Sequence, residues 1–66
     1  MPLSGKELLK LAKKEGWQVI RVNGSHHRLQ HINTKIKMTI PVHANKDLDK
    51  GLEKKLLQEI EDLKGR

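Results

Sequence analysis

Along the 66 residues the apolar positions change period twice. Leu8, Leu11 and Ala12 recur at helical spacing, and Ser4-Gly5-Lys6-Glu7 ahead of them fits a capping box. In that motif the hydroxyl and the carboxylate satisfy N–H groups that a helix start leaves orphaned. Gly16 is placed to take the left-handed conformation past the helix end, with Trp17 packing back toward Leu11 and Ala12. From Trp17 to Val22 the chain is β-branched or aromatic with interspersed Gln18 and Arg21, which predicts a strand. A second strand runs from His26 to Ile32. After the turn Asn33-Thr34-Lys35, Ile36, Met38 and Ile40 alternate with Lys37 and Thr39, the pattern of a half-buried strand that Pro41 ends. The loop Pro41-Val42-His43-Ala44-Asn45 leads to a second helix, capped by Asp47 or Asp49, whose Leu52, Leu56, Ile60 and Leu63 form one face.

One amphipathic sheet and two amphipathic helices have one economical solution at this size: an α+β two-layer sandwich in the order α-β-β-β-α, with both helices on one face of a three-stranded antiparallel sheet. The whole chain, residues 1–66, reads as a single domain. In the second strand, alternation puts His27, Leu29 and His31 on the core side and His26, Arg28 and Gln30 outside. Asn23-Gly24 is a strong hairpin signal, since a type I′ turn needs φ > 0 at both central residues. That turn sets Arg21 opposite His26. It also leaves Trp17 and Val19 on the wet face and Ile20 and Val22 in the core, a conflict that a bulge or a longer loop would resolve.

Charge narrows the partner. The formal net charge is +6 and the pI about 9.9, so an anionic partner is expected. Residues 1–46 hold nine bases and two acids, and residues 47–66 five bases and six acids, so the positive charge belongs to the first helix and the sheet. A chain this short buries only about 60% of its unfolded surface, which leaves no room for a large cofactor pocket, and none is expected. With no Cys there is no disulfide, thiol nucleophile or thiolate metal site. No apolar run approaches a membrane span and Met1-Pro2-Leu3-Ser4 lacks the features of a secretory signal, which points to the cytoplasm and away from membranes.

The chemistry concentrates in Asn23-Gly24-Ser25-His26-His27. An imidazole just past a tight turn can exchange protons near neutral pH without a metal, and Gly24 and Ser25 add backbone N–H groups. His27 and His31 read as boundary residues bonded to backbone; His43 caps its loop or supports the site. Zinc is disfavoured, because His26 and His27 point to opposite faces while His27 and His31 lie about 13 Å apart along one strand. Lys6 and Lys10 of the first helix, with Arg21, Arg28 and Lys37 of the sheet, are candidates for tracking a phosphate backbone. Trp17 is the sole aromatic ring besides the histidines, so a stacking platform is not expected and sequence selectivity should be weak.

Ser4-Gly5-Lys6-Glu7-Leu8, Gly16-Trp17, Gly24-Ser25-His26-His27, Pro41-Val42-His43 and Lys50-Gly51 together resemble the HicA toxin family of toxin–antitoxin systems over nearly the whole chain. The resemblance implies a fold similar to double-stranded RNA-binding domains, an endoribonuclease that cleaves mRNA, and inhibition by a HicB-like antitoxin. It maps the catalytic residue onto His26. An aromatic is common in the family where Leu29 stands, a difference that bears on packing more than on chemistry. RNA supplies its own nucleophile, the 2′-OH, so a metal-free site with one imidazole and nearby cations is sufficient. The antitoxin would cover the His26 face, its acidic residues meeting Arg21, Arg28 or Lys37. Two other readings use the same residues: a non-catalytic RNA-binding module, and a protein-interaction domain whose basic face docks an acidic partner.

Overall fold

The structure, a computed structural model, describes residues 3–43 and 46–66; Ala44 and Asn45 of the expected loop, and Met1 and Pro2, lie outside them. The elements are α1 (Gly5–Lys14), β1 (Trp17–Asn23), β2 (His26–His31), β3 (Lys37–Pro41) and α2 (Lys50–Asp62). The strands lie in the order β1-β2-β3, and both pairings are antiparallel. This is the α-β-β-β-α sandwich that the apolar periodicity predicts.

Each helix starts where its capping chemistry permits. The Ser4 hydroxyl accepts from the Glu7 N–H at 3.2 Å, and the Glu7 carboxylate accepts from the Ser4 N–H at 3.1 Å. These bonds, the backbone one foremost, hold the Glu7 carboxyl below its ordinary 4.5. At α2 the choice between two aspartates falls to Asp49, whose carboxylate accepts from the Gly51 N–H at 3.2 Å. Asp47 instead bridges to Ser4, and the Leu48 N–H donates to the Leu3 carbonyl at 2.8 Å. The segment before α1 is thereby tied to the segment before α2.

Both helices bury their apolar faces in one core. Leu8 and Ala12 from α1, Leu56, Ile60 and Leu63 from around α2, and Trp17, Leu29, Met38 and Ile40 from the sheet form a single buried cluster. Leu29 is wholly buried, so a side chain of another shape at this position would act through core packing. His31 joins the core at 2% exposure. Its Nδ1 accepts from the Thr34 N–H at 3.2 Å, and its ring meets Trp17 edge-on at 5.3 Å. A buried imidazole needs such a partner, and the bond to backbone is the role its sequence position suggested. His27, half-buried between Val22 and Ile40, differs: its Nδ1 finds no partner among the described residues.

The hairpin corrects one expectation and resolves another. Asn23 ends β1 and pairs with His26, so the two loop residues are Gly24 and Ser25. Gly24 has φ +61° and Asn23 does not have a positive φ, which meets the type II′ requirement, glycine at the first central position, in place of type I′. Arg21 therefore does not stand opposite His26; it stands opposite Arg28. Further along, Val19 pairs with Leu29 and Arg21 with Arg28, so Ile20 is an extra residue in a β-bulge. The bulge returns Trp17 and Val19 to the core side and keeps Arg21 and Asn23 outside.

Two outcomes test these assignments. Deleting Ile20 removes the bulge without reversing any other β1 side chain, so that variant should retain a cooperative thermal melt; deleting Gln18 turns Trp17 outward and should abolish it. Ser4→Ala should cost about 1 kcal/mol in urea unfolding at pH 7. Because the folded-state pKa of Glu7 is depressed, its contribution is present above the ordinary 4.5 and is lost as pH falls through the lower folded value. The stability gap between wild type and Glu7→Gln should therefore close in acid.

Candidate active site

On the outer face of the sheet the register builds a grid of three rows. Asn23, His26 and Pro41 form the first, Arg21, Arg28 and Thr39 the second, and Gln18, Gln30 and Lys37 the third. Successive rows are two residues apart along β2 and β3, about 7 Å, and the bulge takes up the extra residue in β1. Arg21, Asn23, His26, Arg28 and Thr39 line an open depression of about 340 Å³. His26 is exposed on it, so the ring is accessible from solvent. Two-residue loop, strand pairing and bulge together put that imidazole beside two guanidiniums.

The hairpin end is held from both layers. The Val42 N–H donates to the Ser25 carbonyl at 2.6 Å, which continues the β2–β3 pairing past Pro41. Beneath it, Gly5 opens α1: a Cβ there would stand 2.0 Å from the Pro41 carbonyl oxygen, so only glycine lets the helix start approach this closely. The strand residue paired with His26 is thus wedged against the first turn of a capped helix. A braced backbone under an exposed imidazole keeps its position without burying it.

The electrostatics are one-sided. From Gly16 to Lys46 the chain contains no Asp or Glu, and no carboxylate lines the depression. Arg28 donates to the Thr39 hydroxyl at 3.4 Å, a contact that orients the guanidinium without neutralising it. Such a surface attracts anions, and an imidazole there can take or give a proton to whatever binds. Among the described residues no three His, Cys, Asp or Glu side chains are grouped to hold a metal ion.

The residues expected from sequence fall into two sets. Arg21, Arg28 and His26 share the depression, Gly24 is at its exposed tip, and Ser25 is half-buried behind it. Lys37 lies one row beyond Arg28 and Thr39 on the same face. Lys6 and Lys10 do not join them: both are exposed on α1, in the helix layer, on a helix whose buried side is Gly5, Leu8 and Ala12. Lys6, next to Gly5, is at the His26 end of the molecule, and Lys10 is one turn further away. His43 is exposed beyond Pro41 and does not line the depression; its carbonyl accepts from the Lys46 N–H at 2.8 Å. Asn23 and Thr39 line the depression without having been singled out from sequence. Thr39 could have been found by pairing Pro41 with His26 and counting back two, but placing the turn at Asn23-Gly24 hid the position of Asn23.

Among the described residues no helix is long and apolar enough to cross a membrane. No curated protein matches the chain. The family model for the HicA toxin of bacterial toxin–antitoxin systems matches residues 5–61, a span from the first residue of α1 to nearly the last of α2 that includes every residue of the depression. The chain therefore belongs to the HicA toxin family and is the toxin component of a toxin–antitoxin system, a role that implies an antitoxin partner.

Proposed function

We propose that this toxin is a metal-independent endoribonuclease that cleaves mRNA in the cytoplasm and so inhibits translation, with His26 as its general acid/base. The observation that carries the reading is the exposed imidazole in a depression with two guanidiniums and no carboxylate. The 2′-OH of RNA attacks the adjacent phosphorus; its oxygen bonds to phosphorus as the bond to the 5′ oxygen breaks. The products are a 2′,3′-cyclic phosphate and a 5′-hydroxyl. Entering and leaving oxygens stand on opposite sides of phosphorus, so one imidazole serves one of them in a given step and water the other.

Arg28, held toward Thr39, and Arg21 stand one row from His26 and add positive potential beside the scissile phosphate, where charge builds on the non-bridging oxygens. Backbone N–H groups at Gly24 and Ser25 are within the same turn, and Lys37 extends the positive face. His43, beyond Pro41, supports the loop that the hairpin end is bonded to. Lys6 and Lys10 contribute long-range attraction from the helix layer, which raises the encounter rate at low salt. With one acid–base group and no base-reading aromatic ring, the enzyme is slow and weakly selective.

Among the described residues none covers the depression, and its control comes from outside. A HicB-like antitoxin that lays acidic side chains over Arg21, Arg28 or Lys37 would both occlude His26 and neutralise the face.

The decisive comparison is cleavage of RNA in EDTA by wild type and by His26→Ala. Wild type should cut, and the variant should lose at least about 100-fold while its thermal melt and RNA affinity stay close to wild type, given the 10²–10⁴-fold typical of one acid–base group. Cleavage that needs a divalent ion, or that survives the substitution, contradicts the proposal. RNA binding with no cleavage by wild type at any concentration would make the protein a binding module instead.

A further inference from the structure

Arg21 and Arg28 stand directly opposite one another across β1 and β2. Like charges in that relation destabilise an antiparallel pair, the Cβ atoms being only about 4.5–5.5 Å apart. From Gly16 to Lys46 the chain has no acid that could relieve them, and among the described residues the one side-chain hydrogen bond either makes is from Arg28 to the neutral Thr39 hydroxyl. The folded protein therefore carries two neighbouring, unneutralised guanidiniums in one row of an open surface. An anion placed between them would remove the repulsion and accept from both, and guanidinium pairs suit a phosphodiester because each can bond two of its oxygens.

The grid adds direction. The Arg21–Arg28 row lies about 7 Å from the His26 row, close to one step of an extended nucleotide chain. Beyond it, at the same spacing, are Gln18, Gln30 and the Lys37 ammonium. Gln30 donates its amide to the Lys35 carbonyl at 3.3 Å, which leaves its side-chain oxygen available as an acceptor. Trp17 is buried and the chain has no Phe or Tyr, so apart from the His26 imidazole this face offers a base no ring to stack on; what it offers is mainly contacts to a backbone. Cleavage by the 2′-OH requires attacking oxygen, phosphorus and leaving oxygen in line, an arrangement that a regular A-form duplex does not reach and a flexible strand does.

We propose that Arg21 and Arg28 form a clamp for the phosphate one nucleotide from the scissile link, and that single-stranded RNA runs from His26 along the outer sheet face toward Gln18, Gln30 and Lys37. This rests on the ribonuclease reading above and goes beyond it by fixing the strand's path and the strandedness of the substrate. The clamp is a positioning device: it holds the chain so that the neighbouring phosphate meets His26.

The test uses a short 2′-O-methyl RNA, which binds without being cut, titrated against the full-length protein over a range of salt, alongside thermal melts and cleavage of ordinary RNA. Arg21→Gln and Arg28→Gln should each weaken binding about 10-fold or more, the usual scale for a charge-assisted contact. Each should also reduce the slope of log K against log salt by about 0.7. Because each substitution removes repulsion, the free protein's melting temperature should hold or rise. Lys54→Gln, an exposed charge on α2, should leave slope and cleavage as in wild type. A duplex of the same length should bind more weakly than the single strand.

An unchanged slope in both arginine variants, a lowered melting temperature, or a duplex that binds as well as the single strand overturns the clamp, and wild-type cleavage in the same series shows that the ribonuclease reading has survived. Absence of wild-type cleavage defeats that reading whatever the slopes show. Binding of poly-glutamate with the same arginine dependence, and none of RNA, would assign the pair to an acidic protein and overturn the proposal.

Discussion

The extra residue at Ile20 is what allows one short strand to serve two masters. Trp17 and Val19 must face the helices, because the indole is the largest buried side chain and there is no other aromatic to take its place. Arg21 and Asn23 must face the solvent, beside His26 and Arg28, for the depression to exist. Trp17, Val19, Arg21 and Asn23 are all odd-numbered, and strict alternation would put them on the same face. A bulge between Val19 and Arg21 is the cheapest way to change parity, since it adds one residue without breaking the pairing on either side. Core and site are therefore coupled through a single backbone irregularity.

Much of this was readable beforehand. The capping box at Ser4, the helical and alternating apolar periods, the outward direction of His26 and Arg28 and the inward direction of Leu29 all follow from local rules that tertiary context did not override. The conflict over Trp17 and Val19 was also visible, because no unbulged hairpin with a two-residue loop could bury both. What could not be read was where the turn sits. Asn23-Gly24 and Gly24-Ser25 both contain a glycine able to supply φ > 0, and the choice of the second, a type II′ turn, moved the register by one residue on each strand. That shift exchanged the partner of His26 from Arg21 to Asn23 and created the arginine pair. The close approach of Gly5 to Pro41 was hidden for another reason: it is a contact between residues far apart in sequence, and glycine at the first helical position gives no local sign of it.

The site spends stability on function in a form that can be counted in residues. Two opposed guanidiniums, an imidazole left in water and a stretch of thirty-one residues with no acid are each unfavourable or neutral for a free small domain. The compensation lies on the other side of the sheet, where His31 is hydrogen-bonded and packed against Trp17 and both helices share one core. This division of labour between faces explains how so short a chain can hold a chemically active surface without a pocket. Among the described residues nothing screens this face, which is compatible with the antitoxin partner that the toxin family implies.

The central claim is that the 2′-oxygen of the substrate does the attacking while the protein only moves protons and holds phosphates. Mass spectrometry of the products from a defined RNA, beside the same RNA carrying a single 2′-O-methyl group at the cleaved position, tests it most directly. The account predicts 2′,3′-cyclic phosphate and 5′-hydroxyl ends from the first and no cut at that position in the second. Products bearing 5′-phosphate ends, or cleavage of the blocked strand, would contradict it.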